Sequence, residues 1–277
     1  PEAPGSRKKI VRLPRPRSKW GVSYNLTAAN FVDNAVGSPA HWLVWFQAAG
    51  APAEEGQREA WEGAARELQG KVQFGTVSRW ERAKEILEAV GLPNQTISSG
   101  RPVLLFPARP LWGRKADKVK ASKWLSLPGD RKELVATALG LFNDDSARLV
   151  FSIDNTAPAS SIQAWLSDGS EKPRLILFPS KDLAKVPVLL QALAIEYGHL
   201  LHFGLAKRSD KKFGEQMSVE KYPSVLFLTK EKSSGQMGIS SYDSALNFNA
   251  IARFLDGSTR LVEKNAAQPT SSPHDEL

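Results

Sequence analysis

The sequence predicts an α/β protein that uses one kind of domain twice, and three observations predict it. Short apolar runs such as Trp42-Leu-Val-Trp-Phe46 and Pro173-Arg-Leu-Ile-Leu-Phe178 read as buried strands, the first passing straight into a helix start. Between such runs lie stretches with apolar residues at the i, i+3, i+4, i+7 spacing of a helix with one buried face. The same order of elements then occurs again: Phe46 pairs with Phe178, Phe74-Gly75 with Phe203-Gly204, and Pro102 with Pro223, at an offset that shortens gradually along the chain. A duplicated domain with loops of different length accounts for that pattern.

Taken in order, residues 1–20 are expected to be a basic linker, 21–147 a first domain, 148–262 a second, and 263–277 a flexible tail. The first domain opens with a helix near Thr27–Val36, for which Thr27 can serve as N-cap, and a strand His41–Phe46. A helix Glu55–Gln69 follows, with Trp61, Ala64, Ala65 and Leu68 on one face, and Gly70 stops it. Strand Lys71–Val77 and helix Arg79–Val90 come next, the latter with Trp80, Ala83, Leu87 and Val90 inward. Strand Val103–Phe106 is entered through Arg101-Pro102, where proline costs only a donor at the strand's first residue. A basic loop at Arg114–Lys123 and a helix Asp130–Phe142 close the domain.

The second domain repeats the scheme: strand Arg148–Ser152, helix Ser160–Leu166, and the central strand ending at Phe178. Helix Lys185–Tyr197 has Val186, Leu189, Leu190, Leu193 and Tyr197 on one face. Strands His199–Leu205 and Val225–Leu228 follow, the second after Pro223. Helix Tyr242–Leu255, with Phe248, Ile251 and Leu255 inward, is last.

At 277 residues the chain can bury two cores. Its apolar content of 42% and charged content of 24% are those of a soluble globular protein. No segment approaches the roughly 20 apolar residues of a membrane span. No secretory hydrophobic region precedes the fold, so the chain reads as a mature or excised piece of a longer precursor. The net charge of +8 is uneven, with Lys8, Lys9, Arg12, Arg15, Arg17 and Lys19 crowded at the start. That stretch is either an arm for acidic partners or a solvated linker. No stacking aromatics or RNA-binding motif accompany it, so a linker with no nucleic-acid partner is the expectation.

His274-Asp275-Glu276-Leu277 ends the chain as a retrieval signal for the endoplasmic reticulum lumen, read by the HDEL receptor. Two sequons, Asn25-Leu-Thr27 and Asn94-Gln-Thr96, are compatible with a secretory route. The chain has no cysteine, so it can neither form nor exchange a disulfide.

Other chemistry finds no convergent residues. His199 and His202 lie three apart on a predicted strand and point to opposite faces. His41 starts a strand and His274 belongs to the tail. Glu54-Glu55 suits the positive end of a helix dipole, and Asp144-Asp145 falls in a predicted inter-domain turn. There is no phosphate-binding loop and no zinc spacing, so neither metal nor cofactor is expected. Trp42, Trp45, Trp61, Trp80 and Trp165 sit on predicted core faces.

Phe46, Ala48, Trp61, Glu62 and Ala65 fall, without a gap, where thioredoxin-like domains of the protein disulfide isomerase family carry Phe-Tyr-Ala-Pro-Trp-Cys-x-x-Cys and the following helix. Leu26-Thr27-x-x-Asn30-Phe31 resembles the opening of the same domains. Lys172–Phe178, Val186–Leu193 and Tyr222-Pro-Ser-Val225 resemble cysteine-free members, especially those of J-domain proteins of the endoplasmic reticulum, although no His-Pro-Asp occurs here. The resemblance spans about residues 22–260. It implies two thioredoxin-like domains in tandem, each a central mixed sheet flanked by helices.

The resemblance also implies a degenerate active site at Ala51, Pro52, Ala53 and Glu54, with Ala51 and Glu54 at the two cysteine positions and Trp45 at the buried acid. It implies cis prolines at Pro102 and Pro223 beside a groove for extended polypeptide, flanked by Arg101 and Tyr222. The same prolines could equally serve only to shape strand entries. The implied function is a non-enzymatic module of the endoplasmic reticulum that binds client proteins or other chaperones. The alternative is a spacer or assembly platform of a larger J-domain co-chaperone, with no client binding of its own.

Overall fold

The structure, a computed structural model, describes residues 22–47, 55–78, 80–92, 102–108, 115–153, 159–166, 172–230 and 237–267. The chain packs as two compact units, with the main change of unit between Val135 and Ala136.

The first unit is organised on a strand buried along its whole length, β2 (His41–Phe46). A strand covered on both faces must be apolar throughout rather than alternating, which is what Trp42–Phe46 supplies. Around it stand β1 (Tyr24–Asn25), α1 (Ala28–Phe31), α2 (Glu55–Glu67), β3 (Val72–Val77), α3 (Trp80–Val90), β4 (Val103–Phe106), α4 (Lys115–Lys120) and β5 (Lys123–Leu125), and α5 (Arg131–Leu139) spans the change of unit. The sheet order is β1-β3-β2-β4-β5. β1 runs parallel to β3, and β4 is antiparallel to both β2 and β5.

The second unit holds α6 (Asp144–Ala147), β6 (Val150–Ile153), α7 (Ala159–Leu166), β7 (Arg174–Phe178), α8 (Val188–Tyr197), β8 (His202–Ala206), α9 (Lys211–Gln216), β9 (Ser224–Lys230), β10 (Met237–Tyr242) and α10 (Phe248–Ala267). Its sheet order is β6-β8-β7-β9-β10. β8 is parallel to β6 and β7, while β9 is antiparallel to β7 and β10. Alternation along β7 splits its core in two. Leu175 and Leu177 join the layer of α8 and α10, whereas Ile176 and Phe178 pack with Phe213 and Met217 on the other face.

The inward faces follow the helical spacing. Trp61, Ala64, Ala65 and Leu68 are buried, as are Ala83, Leu87, Phe248, Ile251 and Leu255. α1 begins after Thr27, whose N–H donates to Asn30 Oδ1 at 2.9 Å, and then widens into a π-helical turn over Val32–Val36.

Several elements differ from expectation. Asp144-Asp145 is not a turn but the start of α6, because Asn143 Oδ1 accepts the N–H groups of Asp145 and Ser146 at 3.1 and 3.3 Å. α8 starts at Val188 rather than Lys185, since Pro187 keeps Val186 out of helical geometry. His199 lies in the turn after α8, so only His202 stands on a strand and the opposite-face argument does not apply. The basic segment 114–123 contains α4, and α10 starts at Phe248 because Tyr242 ends the unforeseen edge strand β10.

Candidate functional site

Three segments meet at the carboxyl end of β2. Phe46 N–H donates to the Pro102 carbonyl at 2.8 Å, and Gln47 N–H donates to the Val77 carbonyl at 2.9 Å. These bonds fix where the chain leaves the sheet on its way to α2. Ala51, Pro52, Ala53, Glu54 and Arg101 lie outside the described residues, as do His274–Leu277. Pro102 is half-buried.

Below that corner, Trp45 is 4% exposed and its ring centroid lies 5.5 Å from that of Trp61. Trp61 in turn meets Phe74 edge-on at 5.0 Å. The position the resemblance gives to a buried acid is thus filled by an indole in an aromatic cluster, with no acidic group. The buried acid of this unit is elsewhere. Glu62 on α2 accepts the N–H groups of Val22 and Ser23 at 2.8 and 3.1 Å and the Ser23 hydroxyl, so it anchors the segment leading into β1.

A second buried polar group sits at the opposite end of β2. Lys118, 2% exposed, donates to the carbonyls of Ser38 and Ala40, each at 2.7 Å. His41 Nδ1 accepts the Ala108 N–H at 2.7 Å. Burial, and then the charge of Lys118, lowers the His41 pKa to about 3, so the imidazole is neutral near pH 7. Because His41 begins β2 and Phe46 ends it, this pair supports the fold rather than the corner.

The corresponding corner of the second unit is more fully defined. β7 ends at Phe178, whose ring stacks on Phe213 at 5.6 Å and meets Tyr222 edge-on at 6.4 Å. The Tyr222–Pro223 peptide bond is cis. The Tyr222 hydroxyl lies against Gly214, where a side chain would collide with it. Arg208 lays its guanidinium over the Tyr222 ring, 3.9 Å from the centroid. Asp182 Oδ1 accepts the Ser209 N–H at 3.1 Å, and that backbone bond holds the exposed carboxyl below its usual range. Tyr222 is half-buried and Pro223 exposed. Tyr222 and Pro223 were legible in the sequence; Arg208, Asp182 and Ser209 carried no signal, since no local pattern joins them.

The ladders also correct the pairing of the two prolines. Tyr24 faces Gly75 as Phe151 faces Gly204, so the two glycines occupy one position of the repeat. From there Phe46 corresponds to Phe178. Phe46 bonds Pro102, but Phe178 faces Ser224. Pro102 therefore corresponds to Ser224, and Pro223 sits one residue earlier. Backbone register, not proline spacing, sets the correspondence.

Among the described residues, no group of three or more His, Asp or Glu side chains is placed to hold a metal ion. No described helix is long and apolar enough to cross a membrane.

Both units share one strand order, with the carboxyl ends of β2 and β7 at the centre of each sheet. The chain is a tandem of two thioredoxin-like domains. No protein-family model matches it. Over 233 residues it is 23% identical to a Dictyostelium discoideum protein provisionally assigned as a protein disulfide-isomerase, a match covering 84% of this chain and 51% of that protein. The tandem thus spans about half the length of that curated relative.

Similar solved structures include form II of ERdj5, with 16% identity and a TM-score of 0.46 over 91% of this chain and 31% of that one. The zinc-bound form of human ERp44 has 13% identity and a TM-score of 0.33 over 84% and 56%. The Trx4 domain of ERdj5 has 23% identity and a TM-score of 0.33 over 43% and 95%. The tandem is thus similar in sequence to a protein assigned to the protein disulfide isomerase superfamily.

Proposed function

We propose that this tandem is a redox-inactive module of the endoplasmic reticulum lumen that binds client or partner proteins during folding or quality control. One observation carries the reading: two thioredoxin-like domains are kept without a single cysteine, and Trp45 packs against Trp61 where the resemblance places an acid. Thiol–disulfide exchange needs a thiolate and a second thiol to resolve the mixed disulfide. What remains is a scaffold on which the resemblance places a groove for extended polypeptide. Exposed Pro223 and the Arg208–Tyr222 stack, at the carboxyl end of β7, are the residues assigned to it. The lumenal address rests on His274–Leu277, and deleting those four residues is expected to send the protein to the medium.

The test is titration of the folded chain against a reduced, carboxymethylated globular protein, followed by fluorescence anisotropy, with the native form of that protein as control. Binding to the unfolded form, weakened by Tyr222→Ala with Arg208→Ala, is expected. A folded chain that binds neither form leaves the spacer reading.

A further inference from the structure

We infer that Asn25 carries an N-linked oligosaccharide, placed on the outer edge of the first sheet. The motif Asn25-Leu26-Thr27 supplies the acceptor amide and, two residues on, the hydroxyl that marks it; Leu26 is not proline, so the motif is not blocked. A sequon alone is weak. The placement of these three residues strengthens it.

Asn25 is exposed and lies on β1, the terminal strand of the sheet. β1 pairs with β3 on one side, Asn25 facing Thr76, and its other edge is the sheet's edge. The residues around Asn25 all have work inside the fold. Leu26 is fully buried, and its N–H donates to the Thr76 carbonyl at 2.8 Å. The Tyr24 ring lies 5.1 Å from that of Trp42. Thr27 offers its carbonyl to the N–H of Phe31 at 2.9 Å, starting α1. Asn25 contributes backbone only: its carbonyl accepts from Asn30 Nδ2 at 3.2 Å. Among the described residues, no hydrogen bond uses its side-chain amide. Asparagine is a poor strand former, and the fold gives no reason for it here.

An oligosaccharide at this position leaves the core untouched, because Leu26 turns inward while Asn25 turns out. It also stands beside the edge of β1 that no described strand pairs, a position where an unprotected strand invites pairing with another chain. In the transfer, Asn25 Nδ2 attacks the anomeric carbon of an oligosaccharide carried on a polyprenyl pyrophosphate. The C–N bond forms as the bond from that carbon to the pyrophosphate oxygen breaks. The pyrophosphate leaves with the electron pair, and the amide gives up one proton. The lipid-linked donor and its transferase belong to the secretory lumen, so the inference rests on the location proposed above. Asn94-Gln-Thr96 lies outside the described residues.

The test expresses the full chain behind a cleavable signal sequence in eukaryotic cells, with Asn94→Gln to isolate the site. The protein is digested with endoglycosidase H or peptide N-glycosidase F and run against untreated material. A mobility shift of one glycan with both enzymes is expected, lost in Asn25→Gln and kept in Thr27→Ser. A shift with peptide N-glycosidase F alone keeps the glycan and rejects retention in the lumen. No shift in a chain whose signal sequence has been removed overturns the glycan while leaving the location standing. A shift that survives Asn25→Gln overturns it as well.

Discussion

A neutral imidazole at His41 ties stability to pH. The unfolded chain takes up this proton near the ordinary value of 6.5, whereas the folded protein resists it down to about 3. Protons therefore favour unfolding between those values. The contribution is fully present above pH 6.5 and falls by about 1.4 kcal/mol per pH unit as the pH drops toward 3. Urea unfolding at pH 7 and pH 5 should show this loss, and His41→Gln should flatten it. Lys118→Met has two opposed effects. It leaves the carbonyls of Ser38 and Ala40 without their buried donor, a loss of about 1–3 kcal/mol. It also removes the charge that helps hold His41 neutral, so the pH window should narrow from below. A variant less stable at pH 7 whose loss of stability still continues down to about pH 3 would show that burial alone sets the His41 pKa.

At the scale of elements, the repeat is held by one glycine per sheet. A Cβ on Gly75 would run into the buried side chain of Leu26, while one on Gly204 would meet Trp165 at 2.9 Å and Ile153 at 3.1 Å. Overpacking of this kind costs about 1–3 kcal/mol, and removing a strand glycine returns only about 0.5–1 kcal/mol. Gly75→Ala should therefore lower the urea midpoint clearly. Gly204→Ala should lower it less, because Trp165 is half-buried and its ring can shift. Equal losses at the two sites would mean that Leu26 yields as easily as Trp165. Sequence reasoning missed the edge strands β1, β5 and β10, besides the short helices α4, α6 and α9. β1 and β5 are too brief for a period to register, and β10 is exposed along nearly all of its length, so no alternation betrays it.

For the whole molecule, the absence of any thiol predicts no insulin-reducing or oxidising activity. Cysteines introduced by Ala51→Cys with Glu54→Cys should form a disulfide in the folded protein. Turnover should nevertheless stay poor, because the resemblance puts Trp45 at the position of the proton-handling acid. Thiol titration and insulin reduction, with and without Trp45→Glu, check both halves. A folded double variant that cannot oxidise would put the strand-to-helix corner elsewhere in the chain.

The sequence by itself determined the α/β class, the duplication and the loss of thiol chemistry. Each of these is written in local terms: apolar period along Trp42–Phe46 and Glu55–Gln69, element order, and the identity of residues at single positions. Only the tertiary structure decided that Pro102 faces Phe46 while Ser224, not Pro223, faces Phe178. It also decided that Arg208 lies over Tyr222 and that Lys118 is buried beneath the Ser38–Ala40 turn. Those pairings join residues from 14 to 80 positions apart, depend on backbone ladders and on which faces are covered, and leave no period or motif behind.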